Sequence, residues 1–179
     1  MMVAKSACAL CAIVLLAGCK AKEPANTANA VIPSAETHYT ASAAAPLTKD
    51  QALALMKERE HHMDAFGDAM KKVGNALKAS TPDATPVREA AAEIDGLAPK
   101  LLSWFPAGTG PDVGKTRAKP ETWQKPEDFA LKANDFEQAA MLFDVAAKSG
   151  DLNRINSTFD SLGKSCKACH DLYRAPKKD

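Results

Sequence analysis

Cys166-Lys167-Ala168-Cys169-His170 puts two thiols and an imidazole within five consecutive residues, near the end of a 179-residue chain. Thiols three residues apart share one side of a helical turn, and the imidazole follows at the next step. Several chemistries use such a set. A structural zinc ion needs about four ligands, but His38, His61 and His62 fall in a tether and an early helix, far away in sequence. A disulfide-exchange pair needs a βαβ surround, which the residue pattern does not offer. The C-x-x-C-H arrangement fits covalent haem attachment best. Cys166 and Cys169 form thioethers with the two vinyl groups of one porphyrin, and His170 binds its iron.

Four amphipathic helices position that turn. The first opens at Thr48-Lys49-Asp50-Gln51, a capping box, and carries Leu53, Met56, Met63, Met70 and Leu77, with Phe66 and Val73 beside them. The second starts at Thr85-Pro86 and is lined by Val87, Ala90, Ala91, Ile94, Leu97, Leu101 and Leu102, with Pro99 expected to disturb its last turns. Residues 103–126 form a long loop with four prolines and three glycines, a length usually tied to function. The third helix begins at Pro126-Glu127-Asp128, repeats Phe129, Phe136 and Phe143 every seven residues, and ends at Ser149-Gly150. The fourth runs from about Asp151 to Tyr173, with Leu152, Ile155, Phe159, Leu162, Cys166, Cys169 and Tyr173 in heptad register. No segment alternates as a strand would. The expected fold is all-α, an antiparallel four-helix bundle over residues 48–179 with the haem in one end.

Ahead of this domain, Lys5 precedes an apolar run from Ala7 to Ala17, too short to span a bilayer. Leu16-Ala17-Gly18-Cys19 resembles the lipobox of bacterial lipoproteins, in which the leader is cut before the cysteine and that cysteine is acylated. Residues 1–18 are therefore expected to be a lipoprotein signal peptide, Cys19 a lipidation site, and residues 19–47 a flexible tether rich in Ala, Pro, Thr and Ser. The product would face the periplasm, held to a membrane by its lipid. Cys8 and Cys11 leave with the leader, so of five cysteines Cys166 and Cys169 remain as a thiol pair. Losing Lys5 brings the formal net charge from +1 to zero, and nothing in the balance of charges argues for nucleic acid.

Further motifs accompany the haem signature. Arg59-x-x-x-Met63 lies in the first helix and Trp104-Phe105-Pro106 at the end of the second. The loop holds Lys115-Thr116-Arg117-Ala118-Lys119-Pro120-Glu121-Thr122-Trp123, and the chain closes on Cys166-x-x-Cys169-His170-x-x-Tyr173-Arg174. Over about residues 50–175 the sequence resembles the class II cytochromes c, comprising the cytochromes c′ and their low-spin relatives. The resemblance implies that Met63 occupies the position over the open face of the iron. In low-spin members a methionine there is a ligand; in c′ members a Leu, Phe or Met packs there and leaves the iron five-coordinate. The loop around Trp123 looks more like the low-spin branch, so ligation by Met63 is expected. By the same resemblance Arg59 meets a haem propionate and Arg174 covers the proximal imidazole. Glu60 departs from the glutamine frequent in the family. Met70 is expected in the core, and His61 and His62 in solvent.

The expected function is periplasmic one-electron transfer by a single haem c with His170 and Met63 on the iron. The alternative is a five-coordinate cytochrome c′ that binds nitric oxide or another diatomic gas. No second constellation of acid, base and nucleophile suggests an enzyme. Lys164, Lys167, Arg174, Lys177 and Lys178 would form a basic rim suited to an acidic redox protein, and the resemblance leaves a homodimer open. For the anchor, wild-type protein should sediment with membranes, and Cys19→Ser should release it or leave it unprocessed. Soluble wild-type protein with a simply cleaved leader would refute lipidation.

Overall fold

The computed structural model of the chain describes residues 46–79 and 84–177. The signal segment, Cys19, the tether as far as residue 45, and Lys178 lie outside the described residues. Helix α1 (Lys49–Lys78) opens on the expected capping box: the Gln51 amide donates to Thr48 Oγ1 at 3.3 Å, and the Thr48 amide to Gln51 Oε1 at 2.9 Å. Helix α2 (Ala84–Leu97) passes into a 3-10 segment, Ala98–Trp104. A single turn, α3 (Glu121–Gln124), interrupts the long loop. Helix α4 (Pro126–Ser149) starts on proline and stops at Gly150, whose φ of +71° is the left-handed cap that glycine supplies without a Cβ clash. Helix α5 (Leu152–Tyr173) is capped by Asp151, which accepts from the amides of Asn153 and Arg154.

The four long helices make an all-α four-helix bundle. Helix α4 packs on α5 and α2, and α2 on α1. The phenylalanine heptad faces inward, with Phe129 and Phe136 each 5% exposed and Phe143 fully buried, against Val73, Ile94, Ile155 and Leu162. Three expected core positions turn outward. Leu102 is 42% exposed because Pro99 has no amide hydrogen to continue the α-helix. In the tighter 3-10 winding that follows, Leu101 and Trp104 face in and Leu102 faces out. Leu53 lies over the loop at Gly114, where a Cβ would come within 2.5 Å of Leu53 Cδ2. Leu152 is the first residue of α5 and lies beyond the core.

Folding a proline-rich segment back onto the bundle leaves carbonyls that must be satisfied. Trp123 Nε1 donates to the carbonyls of Phe105 and Pro106 at 3.1 and 3.0 Å, and Thr109 Oγ1 donates to Pro106 O at 2.7 Å. Arg59, a residue 4% exposed, adds four hydrogen bonds, two of them to carbonyls. Its Nη1 donates to Trp104 O at 3.5 Å and Thr109 Oγ1 at 3.0 Å; its Nη2 donates to Thr109 O at 3.1 Å and Thr116 Oγ1 at 3.2 Å. The guanidinium carbon also lies 4.8 Å from the Phe105 ring centroid and 5.4 Å from that of Trp123. Arg59→Met should strand these acceptors in a dry site and cost roughly 2–4 kcal/mol, read as a lower urea midpoint. An unchanged midpoint would show that the loop closes without the guanidinium.

Candidate haem site

Helices α1 and α5 do not pack closely on each other, and between them lies a cavity of about 470 Å³. Its α5 wall is Cys166, Cys169 and His170, all from the last two turns. Helix α1 contributes Met56, Arg59, Met63, Phe66 and Met70, and α4 contributes Phe129, Ala133 and Phe136. The loop closes the remainder with Phe105, Thr116, Arg117 and Thr122. The volume falls in the usual range for a cofactor pocket.

The donor set suits a covalently held haem. Cys166 and Cys169 are half-buried, packed against the core, and not joined as a disulfide. Burial raises both thiols, Cys169 to about 11 with Cys166 adding to the effect, so they stay protonated. Burial, followed by the charges of Arg174 and Arg117, lowers His170 to about 4 and leaves its imidazole neutral with a lone pair free for a metal. Among the described residues, His170 is the only histidine that lines the cavity. His61 is exposed, while His62 stacks on Trp104 with ring centroids 4.3 Å apart.

Helical register alone does not single out one thioether. Met56 and Met70 line the cavity as Met63 does, so Met70 is not confined to the core as expected. Arg59 also borders the cavity, but four of its guanidinium hydrogen bonds are committed to the loop. A carboxylate guest would have to share this cation with those acceptors. Glu60 and Asp64 reach the cavity from the same helix. Arg174 lines it too, and so do Lys115, Arg117 and Lys132. The expected basic rim is partly neutralised, because Lys164 pairs with Asp160 and Lys167 with Asp171, both at 2.6 Å.

Sequence reasoning left the fastening of the loop across the end of α5 unassigned. The Lys119 amide donates to Tyr173 O at 2.9 Å, the Ala175 amide to Arg117 O at 2.7 Å, and Ala118 bridges Arg174 in antiparallel fashion. Lys119 Nζ donates to the carbonyls of Asp171 and Leu172, both at 3.1 Å, capping groups that a helix C-terminus leaves open. Arg117 Nε donates to Ala175 O at 3.0 Å. Tyr173 packs edge-on against Phe129 and its hydroxyl donates to Asp128; burial and this acceptor push it up to about 12. Apart from the quoted loop motif, these contacts had no sequence signal, since each joins residues far apart in the chain, 45 positions for Asp128 and Tyr173 and 58 for Arg117 and Ala175.

The family profile described as Cytochrome C' matches residues 54–174. The chain belongs to the cytochrome c′ family. Like the family's members, it binds one covalently attached c-type haem. It is 34% identical over 125 residues to cytochrome c-554 of Cereibacter sphaeroides, covering 67% of this chain and 92% of that one. A solved cytochrome c′ with ligand-controlled dimer dissociation superposes with a TM-score of 0.66 at 29% identity, over 74% of this chain and all of that one. A nitric oxide complex of a mutant cytochrome c′ from Alcaligenes xylosoxidans gives 0.64 at 27% identity, over 70% of this chain and 97% of that one. For the attachment, denatured wild-type protein should keep its haem on a gel, and Cys166→Ala with Cys169→Ala should lose it. Retention of haem by the double variant would mean that the attachment lies elsewhere.

Proposed function

We propose that this protein binds a diatomic gas, of the nitric oxide type, at a haem carried by Cys166 and Cys169 with His170 as the protein ligand to iron. The observation that carries the reading is a cavity with one imidazole and an otherwise largely apolar wall of Phe66, Phe129, Ala133 and Phe136. The likeness to a cytochrome c′ of which a mutant forms a nitric oxide complex supports it. When bound, the haem iron supplies a coordination position open to a small neutral ligand. The chain supplies the rest. Cys166 and Cys169 fix the macrocycle, and His170 presents a neutral nitrogen. The aromatic residues of α1 and α4 keep water out and favour an uncharged guest. The assigned role is binding rather than turnover.

One-electron transfer is the second reading, favoured by Met63. Its thioether lines the cavity one turn after Arg59, and a His170–Met63 pair would keep the same ligands in both iron oxidation states. An acidic redox partner would then meet Lys115, Arg117, Lys132 and Arg174 around the cavity. Under either reading the leader and Cys19 suggest a lipid-anchored, periplasmic protein.

Optical spectra separate the two. The gas-binding reading expects high-spin iron, ready binding of carbon monoxide by the ferrous protein, and the same spin state in Met63→Ala. A low-spin wild type that excludes carbon monoxide until Met63 is replaced by alanine would overturn it in favour of the carrier.

A further inference from the structure

Three large apolar side chains crowd the outer face of α4. Met141, Leu142 and Val145 are 50%, 54% and 49% exposed. Spacings of three and four set them on one side of the helix, turned away from the buried Phe136 and Phe143. Asp135 and Gln138 precede them along the same exposed stripe, and Lys148 follows. Beside Leu142 a groove of about 240 Å³ runs between α4 and α5, lined also by Ala139, Thr158 and Ser161.

A lone exposed leucine is ordinary, but a contiguous apolar cluster marks a contact surface. The outer faces of α1 and α2 look different, carrying charge pairs such as Lys71 with Asp68 and Lys72 with Glu89. Neither haem attachment nor gas binding uses the cluster, since α4 reaches the cavity with Phe129, Lys132, Ala133 and Phe136.

The order of charges along the stripe says what covers it. A lipid surface favours cations around an apolar patch, whereas the exposed positions of α4 hold Glu127, Asp128 and Asp135 against Lys148. A second copy of the chain fits better. At 1.5 Å per residue, Lys148 lies about 9 Å from Leu142 along the axis, and Asp135 about 10 Å away in the other direction. An antiparallel copy centred on Leu142 sets Leu142 against itself and Met141 near Val145 of the second copy. It also brings each Lys148 level with the other copy's Asp135, twice by symmetry. Both side chains are more than 60% exposed. Lys148 pairs with Asp144 and Asp135 with Lys132 in its own chain, yet an ammonium has three donors and a carboxylate two oxygens, so each can serve a second charge.

We propose that this protein forms a symmetric homodimer in which α4 crosses α4 of a second copy antiparallel. Met141, Leu142 and Val145 form the centre of the contact, and Asp135 with Lys148 forms its two edges. None of the three apolar residues lines the cavity, so the contact does not consume the haem site.

Sedimentation velocity of the wild-type holoprotein should show a monomer passing to a dimer as concentration rises. Leu142→Glu should raise the dissociation constant at least about tenfold with an unchanged haem spectrum. Asp135→Lys should raise it less, and mainly at low salt, because it sets two cations level. Under mild oxidation with diamide, Leu142→Cys should give a disulfide-linked dimer, whereas Ala92→Cys on the exposed side of α2 should not. Wild-type protein that stays monomeric at every concentration would overturn the proposal, and so would a dimer untouched by Leu142→Glu. Linkage through Ala92→Cys alone would place the contact on α2 and refute it as well. A monomeric wild type in which a polarity-sensitive dye on Leu142→Cys responds to phosphatidylcholine vesicles would give the patch to lipid instead.

Discussion

One buried cation holds the loop against the bundle. Arg59 leaves water, which burial makes costly and which lowers its affinity for its proton. In return its planar fork meets oxygens on Trp104, Thr109 and Thr116, and packs against the adjacent rings of Phe105 and Trp123. Lysine, a single point charge, could not reach that spread of acceptors. Because the loop supplies one wall of the cavity, this interaction holds that wall in place between the helices.

The chamber exists because the bundle is packed unevenly. Phenylalanine and alanine draw α4 tightly onto α2 and α5, while α1 and α5 stand apart where the flexible methionines Met56, Met63 and Met70 line the gap. At that end α5 presents its two thiols and imidazole, and its last carbonyls are capped by Lys119 rather than by water. The loop thus fixes the turn that carries the haem-binding residues, and its Arg117 joins burial and Arg174 in favouring a neutral imidazole at His170.

Charge around the site is divided between paired and cavity-lining groups. On the outer surface of α5, Lys164 and Lys167 are held one turn from Asp160 and Asp171, pairs worth little in stability but enough to damp a local positive field. The cations that reach the cavity are instead Lys115, Arg117, Lys132 and Arg174, with Glu60 and Asp64 contributed by α1. Any anionic group of the haem therefore meets a mixed rim.

Local information was enough to read the helices, their caps and the haem signature. Thr48 with Gln51, Ser149-Gly150, the Phe129–Phe136–Phe143 heptad and Cys166-x-x-Cys169-His170 each lie within a few turns of chain, where period and capping chemistry operate. Even there, Pro99 changed the winding enough to turn Leu102 outward. The partners of Arg59, the clasp of Lys119 on α5 and the approach of all three methionines were decided only in three dimensions. Each depends on where a proline-rich loop, without a hydrophobic period of its own, finds donors and acceptors on helices distant in sequence. Burial, which raises the thiols and lowers His170 from their ordinary pKa values, likewise belongs to the assembled bundle and to no single segment.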